Sequence, residues 1–476
     1  MRRTKIVATL GPATDDARVL KKLIAAGVDV VRLNYSHGKA DDQAKRAEKV
    51  RKIAAELGRD VGILADLQGP KIRIESFASG PVELVEGQKF VLDVSHPPEA
   101  GRVDIVGCAY ADLPRDVVAG DTLLINDGAI VMKVDAVTLT RVEGTVTVGG
   151  MISNRKGINK QGGGLSARAL TDKDRDDIKH ACALGVDFIA VSFPSTAADM
   201  LEARGLVKAA GGAEVKLVAK IERAESLKFL DEIIGASDVV MVARGDLGVE
   251  IGDAELPGWQ KRIIAQAREG NRMVITATQM MESMITNPIP TRAEVLDVAN
   301  AVMDGTDAVM LSAETAAGKY PVKTVEAMVR VCIGAEKSQP PPERSRARTA
   351  GHFDRTDEAI AMATTWTANQ MRAGAIVALT ESGTTALLMS RLDTQIPIFA
   401  LTRHEGTRRR MAMCRGVYPI DFTPSQLEGL APTREAVDCL AKRGLLKDTD
   451  RVLVTKGDFN GPGGTNTMKI VAVGQG

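Results

Sequence analysis

Aromatic side chains are scarce in this sequence, which has nine Phe, four Tyr and two Trp among 476 residues. Proteins that bind single-stranded nucleic acid without sequence preference stack bases on aromatic rings, so this composition argues against that function. A strong net charge is also absent, because 62 basic and 61 acidic residues leave a formal charge of +1. The chain offers no strong field toward phosphate or anionic lipid, and we expect neither nucleic acid nor a membrane as a partner.

Cysteine is sparse and dispersed as well. The five residues are odd in number and contain no C-x-x-C pair: Cys108, Cys182, Cys332, Cys414 and Cys439. This pattern argues against a zinc site or a disulfide framework and favours a reducing compartment. The sequence also lacks a run of eighteen apolar residues, and its first apolar stretch is short enough for a strand rather than a signal peptide. We therefore expect a cytoplasmic protein.

Short apolar runs rich in Val, Ile and Ala are abundant, and segments with helical periodicity separate them. This alternation is typical of parallel strands joined by crossover helices, and continuous apolar runs fit strands that are buried on both faces. Eight such units predict an α/β fold of the (β/α)8 TIM barrel type. The predicted strands are Lys5–Thr9, Val28–Leu33, Val61–Asp66, Phe188–Ser192, Lys216–Ile221, Val239–Ala243, Met273–Ala277 and Ala308–Ser312.

One interval interrupts this order after the third strand. Within it, Pro81–Gly149 alternates short Val and Leu runs with turn signals such as Asn126-Asp127-Gly128. The pattern predicts a small β-barrel domain inserted into a barrel loop, with the glycine-rich Gln161–Leu165 as its return hinge. The expected boundaries are residues 1–69 and 166–337 for the barrel and 70–165 for the insertion.

A third unit is expected at residues 338–476. It begins with Ser338–Arg344, a proline-rich and charged segment that is typical of a linker. Five further short strands beyond it predict a separate α/β domain. They are Ala375–Thr380, Pro397–Thr402, Val417–Asp421, Arg451–Thr455 and Lys469–Val473.

Polar residues follow the predicted barrel strands at their C-terminal ends, where barrel enzymes place their active sites. Lys220 and Glu222 share one face of a strand, and Glu222 with Asp246 could hold magnesium together with substrate oxygens. Arg32 and Arg73 could bind phosphate through paired N–H donors. The pattern favours metal-assisted phosphoryl or enol chemistry.

Each of these residues has a plainer interpretation when it is taken alone. Lys220 and Glu222 could form a structural ion pair, Asp246 could cap a helix, and Thr278 could be structural. His37 fits a surface position better than a base, and the basic run Arg403–Arg410 fits a solvated face, or an effector or subunit contact, better than a nucleic-acid site. Their joint placement at successive strand ends is what favours a catalytic site.

Several strings of the sequence are highly specific, and they occur in order through the chain. They resemble the pyruvate kinase family and are Lys5–Pro12, Arg32–Gly38, Asp66–Arg73, Lys220–Glu222, Met241–Glu250, Ala277–Met284, Pro290–Asp297 and Asp307–Thr315. The resemblance implies transfer of the phosphoryl group of phosphoenolpyruvate to ADP, giving pyruvate and ATP in the last step of glycolysis. It also implies a homotetramer and an inserted domain that closes as a lid to exclude water.

The resemblance also assigns roles to individual residues. Glu222 and Asp246 would hold Mg²⁺, with Mn²⁺ as a possible substitute, and Lys220 would neutralise the phosphoryl group. Thr278 would help to deliver a proton to the enol carbon, and the Gly245–Asp246 backbone would bind the substrate carboxylate. The remaining assignments are phosphate contacts from Arg32 and Arg73, nucleotide contacts from Asn34, His37, Arg73 and Lys156, and support of the proton relay by Ser312 and Glu314.

A departure from many family members concerns potassium. Many relatives need K⁺ beside the phosphates and carry Glu where this chain has Lys71. Asn34, Ser36 and Asp66 match positions that bind this ion, whereas Leu67 departs from the pattern. We expect no potassium requirement, because the Lys71 ammonium can supply the missing charge. The alternative is that Lys71 merely pairs with a nearby carboxylate.

The C-terminal domain resembles the regulatory domain of the family. Its loop matches the segment that binds an effector phosphate in regulated members, which predicts a sugar monophosphate or AMP as effector. Its residues are Thr380, Glu381, Ser382, Gly383, Thr384 and Thr385. Thr384 stands where relatives often have Arg, and a turn with satisfied hydroxyls is the alternative. Two rival functions stay open: a magnesium-dependent barrel lyase or aldolase acting on pyruvate-type substrates, and an inactive metabolite sensor.

Overall fold

The first strands of the barrel form at the first apolar runs of the sequence. The computed structural model describes residues 1–339, 353–426, 429–457 and 464–474. The first and third strands are buried along their whole length, which explains their continuous apolar character. The opening elements are β1 (Lys5–Thr9), α1 (Ala17–Ala26), β2 (Val30–Asn34), α2 (Ala40–Glu56) and β3 (Gly62–Asp66).

A strand-rich domain is inserted after β3, as predicted. Its elements are β4 (Val82–Leu84), β5 (Lys89–Asp93), β6 (Ile105–Gly107), α3 (Leu113–Asp116), β7 (Thr122–Ile125), β8 (Ile130–Val137), β9 (Arg141–Val148), β10 (Gly150–Ile152) and β11 (Ile158–Lys160). Six strands form one sheet in the order β11-β7-β8-β9-β5-β6, and β10 pairs with β4. Leu84, Phe90 and Ile152 belong to one apolar core, so the two sheets form a single unit.

Five further strands complete the barrel. The elements are α4 (Asp172–Ala183), β12 (Phe188–Val191), α5 (Ala197–Ala209), β13 (Lys216–Ile221), α6 (Leu230–Ala236), β14 (Val239–Ala243), α7 (Arg244–Ile251), α8 (Leu256–Glu269), β15 (Met273–Ala277), α9 (Arg292–Asp304), β16 (Ala308–Leu311), α10 (Ala313–Ala316) and α11 (Pro321–Ser338). The closed ring runs β1-β16-β15-β14-β13-β12-β3-β2. Because all neighbours are parallel, every C-terminal strand end reaches the same rim.

The C-terminal domain is a five-stranded sheet with helices. Its elements are α12 (Thr356–Met371), β17 (Ala375–Leu379), α13 (Thr384–Ser390), β18 (Ile398–Thr402), α14 (Glu405–Met411), β19 (Val417–Asp421), α15 (Ala431–Lys442), β20 (Arg451–Gly457) and β21 (Thr465–Ala472). The order is β19-β18-β17-β20-β21, and only the β20–β21 pair is antiparallel among the described strands. The predicted α/β architecture is confirmed.

This domain closes the floor of the barrel, at the N-terminal ends of the strands. Phe188 and Met310 of the barrel belong to the same buried apolar cluster as Met413 of the C-terminal domain. Asp307, directly before β16, forms an ion pair with Arg391 in which both side chains are almost fully buried. The two domains therefore share a continuous core.

Strand boundaries differ from the predictions by small shifts with identifiable causes. The predicted Val28–Leu33 begins at Val30, because the Asp29 carboxylate accepts the Ile6 N–H at 2.9 Å and pairs with Arg2 at 2.7 Å. The predicted Lys469–Val473 begins earlier, at Thr465, because an edge strand with partly exposed polar residues gives no apolar signal.

The predicted linker lies mostly outside the described residues. Residues 340–344 of the predicted linker lie outside the described residues, and Ser338 is the last residue of α11. Among the helices that the structure describes, none combines the length and apolar character needed to span a membrane.

Candidate active site

Four charged side chains meet at the rim where β2, β3 and β13 end. Asp66 Oδ2 accepts a hydrogen bond from Arg32 Nε at 2.6 Å, and Asp66 Oδ1 lies 3.2 Å from Lys220 Nζ. Lys220 Nζ also lies 3.0 Å from Glu222 Oε1. Parallel neighbours bring their C-terminal ends to one edge, so residues far apart in sequence form one buried cluster.

Burial and neighbouring charges shift the pKa values of these side chains in different directions. Burial opposes ionisation of Asp66, but the charges of Arg32 and Lys220 outweigh it and lower the pKa of Asp66. Burial also opposes the charge of Lys220, yet Asp66 and Glu222 raise the pKa of its ammonium. Burial, together with the carboxylates of Asp246 and Asp66, raises the pKa of Glu222 in spite of Lys220. Lys220 therefore remains a cation, and the surroundings of Glu222 are short of positive charge.

Glu222 and Asp246 are the candidates to hold a divalent cation. Glu222 directly follows β13 and Asp246 lies in the first turn of α7, and a cation would relieve the repulsion that acts on Glu222. Within the described ranges, no group of three or more His, Cys, Asp and Glu residues is arranged to hold a metal ion. Two carboxylates that share Mg²⁺ with substrate oxygens match this arrangement, since Mg²⁺ seldom sits in an all-protein cage.

Lys71 reaches the same place from the inserted domain. Its Nζ lies 2.9 Å from Asp246 Oδ1 and 3.6 Å from Asp127 Oδ1. Burial opposes its charge, but Asp246 and then Asp127 raise the pKa of Lys71. Pairing with a nearby carboxylate, the alternative that the sequence left open, is therefore present. It also fixes an ammonium beside a candidate metal ligand.

Thr278 lies in a strained turn after β15. Thr278 has φ +67° and Gln279 has φ +53°, a left-handed conformation that a β-branched residue rarely adopts. Arg244 holds this turn, because its Nη2 donates to Thr278 O at 2.6 Å and its Nε to Ala277 O at 3.1 Å. The Thr278 hydroxyl accepts the Gly245 N–H at 2.9 Å, at the start of α7 where the resemblance places the substrate carboxylate.

Three residues to which the sequence gave no role support these groups. Ser192 Oγ accepts from Lys220 Nζ at 2.7 Å and donates to Leu67 O at 2.8 Å. The Phe193 N–H donates to Glu222 Oε2 at 2.9 Å. The third supporting residue is Arg244, which holds the Thr278 turn. All three follow a buried strand within two residues, which is the signal that identified their neighbours.

Ser312 and Glu314 form a pair after β16. Glu314 Oε2 accepts the Ser312 N–H at 2.6 Å, and its Oε1 accepts the Met281 N–H at 3.2 Å. Burial raises the pKa of Glu314. Glu314 thus contacts the backbone that follows the Thr278 turn.

The predicted nucleotide-binding residues are more loosely arranged. Arg73 Nη1 donates to the Arg155 carbonyl of the inserted domain at 2.9 Å. His37 is exposed, while Asn34 and Lys156 are half-buried. Arg73 and Lys156 belong to the inserted domain, whereas Asn34 and His37 lie at and after the end of β2 in the barrel. The described hydrogen bonds do not join the four side chains into one network.

The residues predicted to surround a monovalent cation already have partners. Asp66 is paired with the cations described above, and Asn34 Oδ1 accepts the Ser36 N–H at 3.0 Å. Leu67 is 1% exposed, so its side chain belongs to the core and only its carbonyl, which accepts the Ser192 hydroxyl, offers an oxygen.

The predicted effector loop borders a cleft of about 920 Å³ in the C-terminal domain. Gly383, with φ +87°, precedes α13, and its N–H donates to Thr380 Oγ1 at 2.9 Å. The hydroxyls of Ser382 and Thr384 lie 2.9 Å apart, and the Thr385 hydroxyl bonds to Thr465 at 2.6 Å. These bonds are those of a turn with satisfied hydroxyls.

Charged groups also line this cleft. Arg403 and Lys456 contribute positive charge to it. Glu381 contributes negative charge, and its carboxylate bonds to His404 and lies 3.5 Å from Arg403. An anionic ligand would therefore meet two cations and one carboxylate.

The basic run that includes α14 contacts the barrel of the same chain. Arg408 pairs with Asp60 at 3.1 Å, and Arg409 pairs with Asp187 at 2.9 Å. The interpretation as a solvated face is wrong for these two arginines, because their side chains are only 11% and 19% exposed. The run fastens the C-terminal domain to the barrel floor.

Two family models together match most of this chain. The family model described as the pyruvate kinase barrel domain matches residues 1–325, and the pyruvate kinase alpha/beta domain matches residues 358–471. Pyruvate kinase II of Salmonella typhimurium is 56% identical over 99% of this chain and 99% of its own length. Pyruvate kinase of Haemophilus influenzae is 54% identical over 98% of this chain and 97% of its own length.

A solved structure is also similar. The crystal structure of a pyruvate kinase from Cryptosporidium parvum has a TM-score of 0.93 at 34% identity, covering 99% of this chain and 96% of that one. These findings support phosphoryl transfer from phosphoenolpyruvate to ADP with a divalent metal, and they support neither a lyase nor an inactive sensor. The chain belongs to the pyruvate kinase family.

Proposed function

We propose that Lys220, Glu222, Asp246 and Thr278 are the central groups of the pyruvate kinase reaction in this chain, and that the reaction needs no potassium. The observation that carries this proposal is the buried Lys220 ammonium, held between Asp66 and Glu222 beside Asp246. A fixed cation at the rim suits a phosphoryl group in transfer, because such transfer depends on positioning and charge stabilisation.

Binding of phosphoenolpyruvate divides between its two anionic ends. Lys220, Arg32 and Arg73 face the phosphoryl group, and the start of α7 at Gly245 and Asp246 receives the carboxylate. To bind there, the carboxylate takes over the Gly245 N–H from the Thr278 hydroxyl. Mg²⁺ held by Glu222 and Asp246, or Mn²⁺ in its place, would supply positive charge to the substrate oxygens.

Proton delivery falls to the Thr278 turn. Strain and the Arg244 hydrogen bonds fix the backbone of the Thr278 turn, and the hydroxyl donates to Ala277 O at 2.6 Å, so it is held at the rim where the enol carbon would lie. Glu314 and Ser312 support the relay, because Glu314 holds the backbone that follows this turn.

The nucleotide side and the lid complete the proposal. Asn34, His37, Arg73 and Lys156 would contact ADP where the barrel faces the inserted domain. Closure of that domain excludes water, which favours transfer to ADP over hydrolysis. In place of potassium, the ammonium of Lys71 supplies positive charge at the same rim.

The first experiment follows pyruvate formation from phosphoenolpyruvate and ADP with Mg²⁺ in buffer free of K⁺ and Na⁺. We expect full activity before K⁺ is added, and Lys220→Met should abolish it without loss of fold. Activity that appears only with K⁺ would remove the role of Lys71 but keep the enzyme. The absence of pyruvate in both buffers would contradict the proposed function.

We propose a phosphorylated effector for the cleft at Thr380–Thr385, because two cations line it beside several hydroxyls. The hydrogen bonds among those hydroxyls weaken the case, and Thr384 removes the cation that relatives often place there. In the same assay, a sugar monophosphate or AMP should shift the phosphoenolpyruvate saturation curve. If none of these compounds shifts the saturation curve, the result supports the alternative that the loop is a turn with satisfied hydroxyls.

We also propose the domain boundaries, the oligomeric state and the location of the protein. The domain boundaries are residues 1–69 and 166–337 for the barrel, 70–165 for the lid and 338–476 for the regulatory domain. The matched ranges 1–325 and 358–471 are compatible with them. A cytoplasmic homotetramer is proposed from the resemblance and from five unpaired cysteines, three of them buried.

A further inference from the structure

Helix α7 carries a second carboxylate that the proposed mechanism does not use. Glu250 lies one helical turn after Asp246 on the same face and is only 5% exposed. A buried carboxylate requires hydrogen-bond donors, so the elements that supply them identify what Glu250 holds.

Those donors come from both sides of the border between barrel and lid. Glu250 Oε2 accepts the Ala224 N–H of the barrel at 2.8 Å. Its Oε1 accepts from Asn159 Nδ2 of β11 at 3.2 Å, and its backbone carbonyl accepts the Gly162 N–H of the hinge at 2.9 Å. One residue of the barrel thus contacts the lid at two points.

The hinge also packs closely against a second barrel carboxylate, that of Glu225. Gly162, Gly163 and Gly164 have φ of 79°, 81° and 104°, a path that L side chains rarely follow. The Gly164 N–H donates to Glu225, and a Cβ added at Gly163 would lie 2.3 Å from Glu225 Oε1. The hinge therefore follows a fixed path over Glu225, directly beside the contacts of Glu250.

We propose that Glu250 is a positioning residue that holds the lid through Asn159 and Gly162, and so sets the distance between Lys71 of the lid and Asp246. The helix transmits this contact, because Glu250 and Asp246 belong to the same two turns of α7. The proposal rests on the lid role in the proposed function and names the residue that orients the lid.

The contact persists in both protonation states of Glu250 but changes its geometry. Burial raises the pKa of Glu250 to about 7 and Glu225 adds to this, although Ala224, Asn159 and Arg223 favour the charged form. Among the described side chains, Asn159 Oδ1 is buried without a hydrogen-bond partner. After its amide turns by half a rotation, Asn159 Oδ1 can accept a hydrogen bond from the protonated carboxyl of Glu250, whereas Asn159 Nδ2 donates one to the charged form.

The test compares Glu250→Ala with Asn159→Ala in the full chain. Each should raise hydrogen exchange at hinge amides 161–165 about tenfold, measured without substrate. Each should also raise KM for phosphoenolpyruvate about five- to twentyfold, with a smaller change in kcat, because binding and not chemistry loses its orientation. The double variant should show the same hinge exchange and KM as Glu250→Ala, because both changes remove the same hydrogen bond between Glu250 and Asn159.

Two further variants separate positioning from general damage. Glu250→Gln can accept from Ala224 and donate to the turned Asn159, so its hinge exchange and its KM for phosphoenolpyruvate should stay close to those of the parent. Glu255→Gln, at an exposed carboxylate just beyond α7, should change neither hinge exchange nor KM.

The outcomes distinguish this inference from the proposed function. Parent-like hinge exchange and KM in Glu250→Ala, or fully additive effects in the double variant, would overturn the positioning role. Asn159→Ala leaves the barrel intact, so it decides the question if Glu250→Ala does not fold. A parent enzyme that forms no pyruvate defeats the proposed function, whereas hinge exchange still tests the Glu250 contact.

Discussion

At the scale of single residues, Thr278 and Glu250 both hold states that are unfavourable in an isolated chain. Thr278 is a β-branched residue with positive φ, and Glu250 is a carboxyl whose pKa burial raises to about 7. Neighbours that are far away in sequence maintain both states: Arg244 holds the Thr278 turn, and Asn159 holds Glu250.

The raised pKa of Glu250 predicts how stability depends on pH. The pKa rises from 4.5 to about 7 on folding, so between these values the folded state keeps a proton that the unfolded chain has lost. Stability should therefore fall as pH rises through that window and become level above it. Glu250→Gln lacks this titration and should gain about 1–3 kcal/mol relative to the parent between pH 5 and 8.

Chemical denaturation of both proteins at the two pH values measures this difference. Glu255→Gln, an exposed neighbour, is the control and should follow the parent at both. A difference between Glu250→Gln and the parent that is the same at pH 5 and pH 8 would contradict the shift.

The sequence could predict which charged residues lie at the ends of the buried barrel strands. Lys220, Glu222 and Asp246 are charged residues beside apolar runs, and they do lie together. Glu250 could not be predicted, because one Glu near the end of a helix looks like any solvated residue. Its role depends on a lid that arrives from ninety-odd residues earlier in the chain, at Asn159.

At the scale of elements, the approach to β11 controls Lys71. Gly157 pairs with Arg73 inside the lid, and a Cβ there would lie 2.9 Å from Lys71 Cε. No backbone atom lies closer to that Cβ than 4.0 Å among the neighbours described for it, so a substitution displaces only a flexible side chain.

Gly157→Ala should therefore move the Lys71 ammonium off Asp246 with little loss of stability. If that ammonium replaces potassium, the variant should lose about tenfold in activity without K⁺, equivalent to about 1.4 kcal/mol, and recover part of it when K⁺ is added. The measurement is the rate of pyruvate formation over a K⁺ titration.

The control for this prediction is Gly120→Ala, at a lid glycine with no atom near the added Cβ. Its positive φ of 97° makes it the more strained change, so it reports what lid strain alone does to activity. Equal activity losses in the two variants, with no effect of K⁺ on either, would argue against the charge replacement.

Strand bounds were predicted best where apolar residues fill most of the strand. β1, β13, β14, β15 and the edge strand β19 coincide with their predicted ranges for this reason. The edge strand β21 was placed four residues late, since pairing on one side and partial exposure leave polar residues in the ladder. The pattern could not indicate where such a strand begins.

At the scale of the whole molecule, Asp307 joins two domains. Burial opposes its ionisation, but Arg391 and the Arg415 N–H outweigh it and lower the pKa of Asp307. Arg391 Nη1 donates to Asp307 Oδ2 at 2.8 Å, and the Val274 N–H donates to the same oxygen at 2.9 Å. Sequence could not predict this pair, since nothing local connects residue 307 to residue 391.

Breaking this pair should loosen the floor of the barrel. Arg391→Met or Asp307→Asn should each cost about 3–5 kcal/mol, because one buried charge then lacks its partner. The combined variant should cost less than the sum of the two, since no isolated charge remains. Urea unfolding, followed by tryptophan fluorescence and circular dichroism, measures these changes.

Arg102→Met provides the matched comparison, because Arg102 and Asp104 form an ion pair that is 63% and 61% exposed. Exposed pairs contribute little, so its unfolding midpoint should match that of the parent. A parent-like midpoint for Arg391→Met as well would show that the buried pair does not hold the domains together.

The pair also constrains how the protein is made. Synthesis proceeds from the N-terminus, so the last barrel strand leaves the ribosome before Arg391 and Arg415 have been translated. Until then the floor of the nascent barrel stays open, with its apolar surface and the Asp307 carboxylate uncovered. A chain terminated early at the linker should therefore emerge as a client of chaperones rather than as a free barrel.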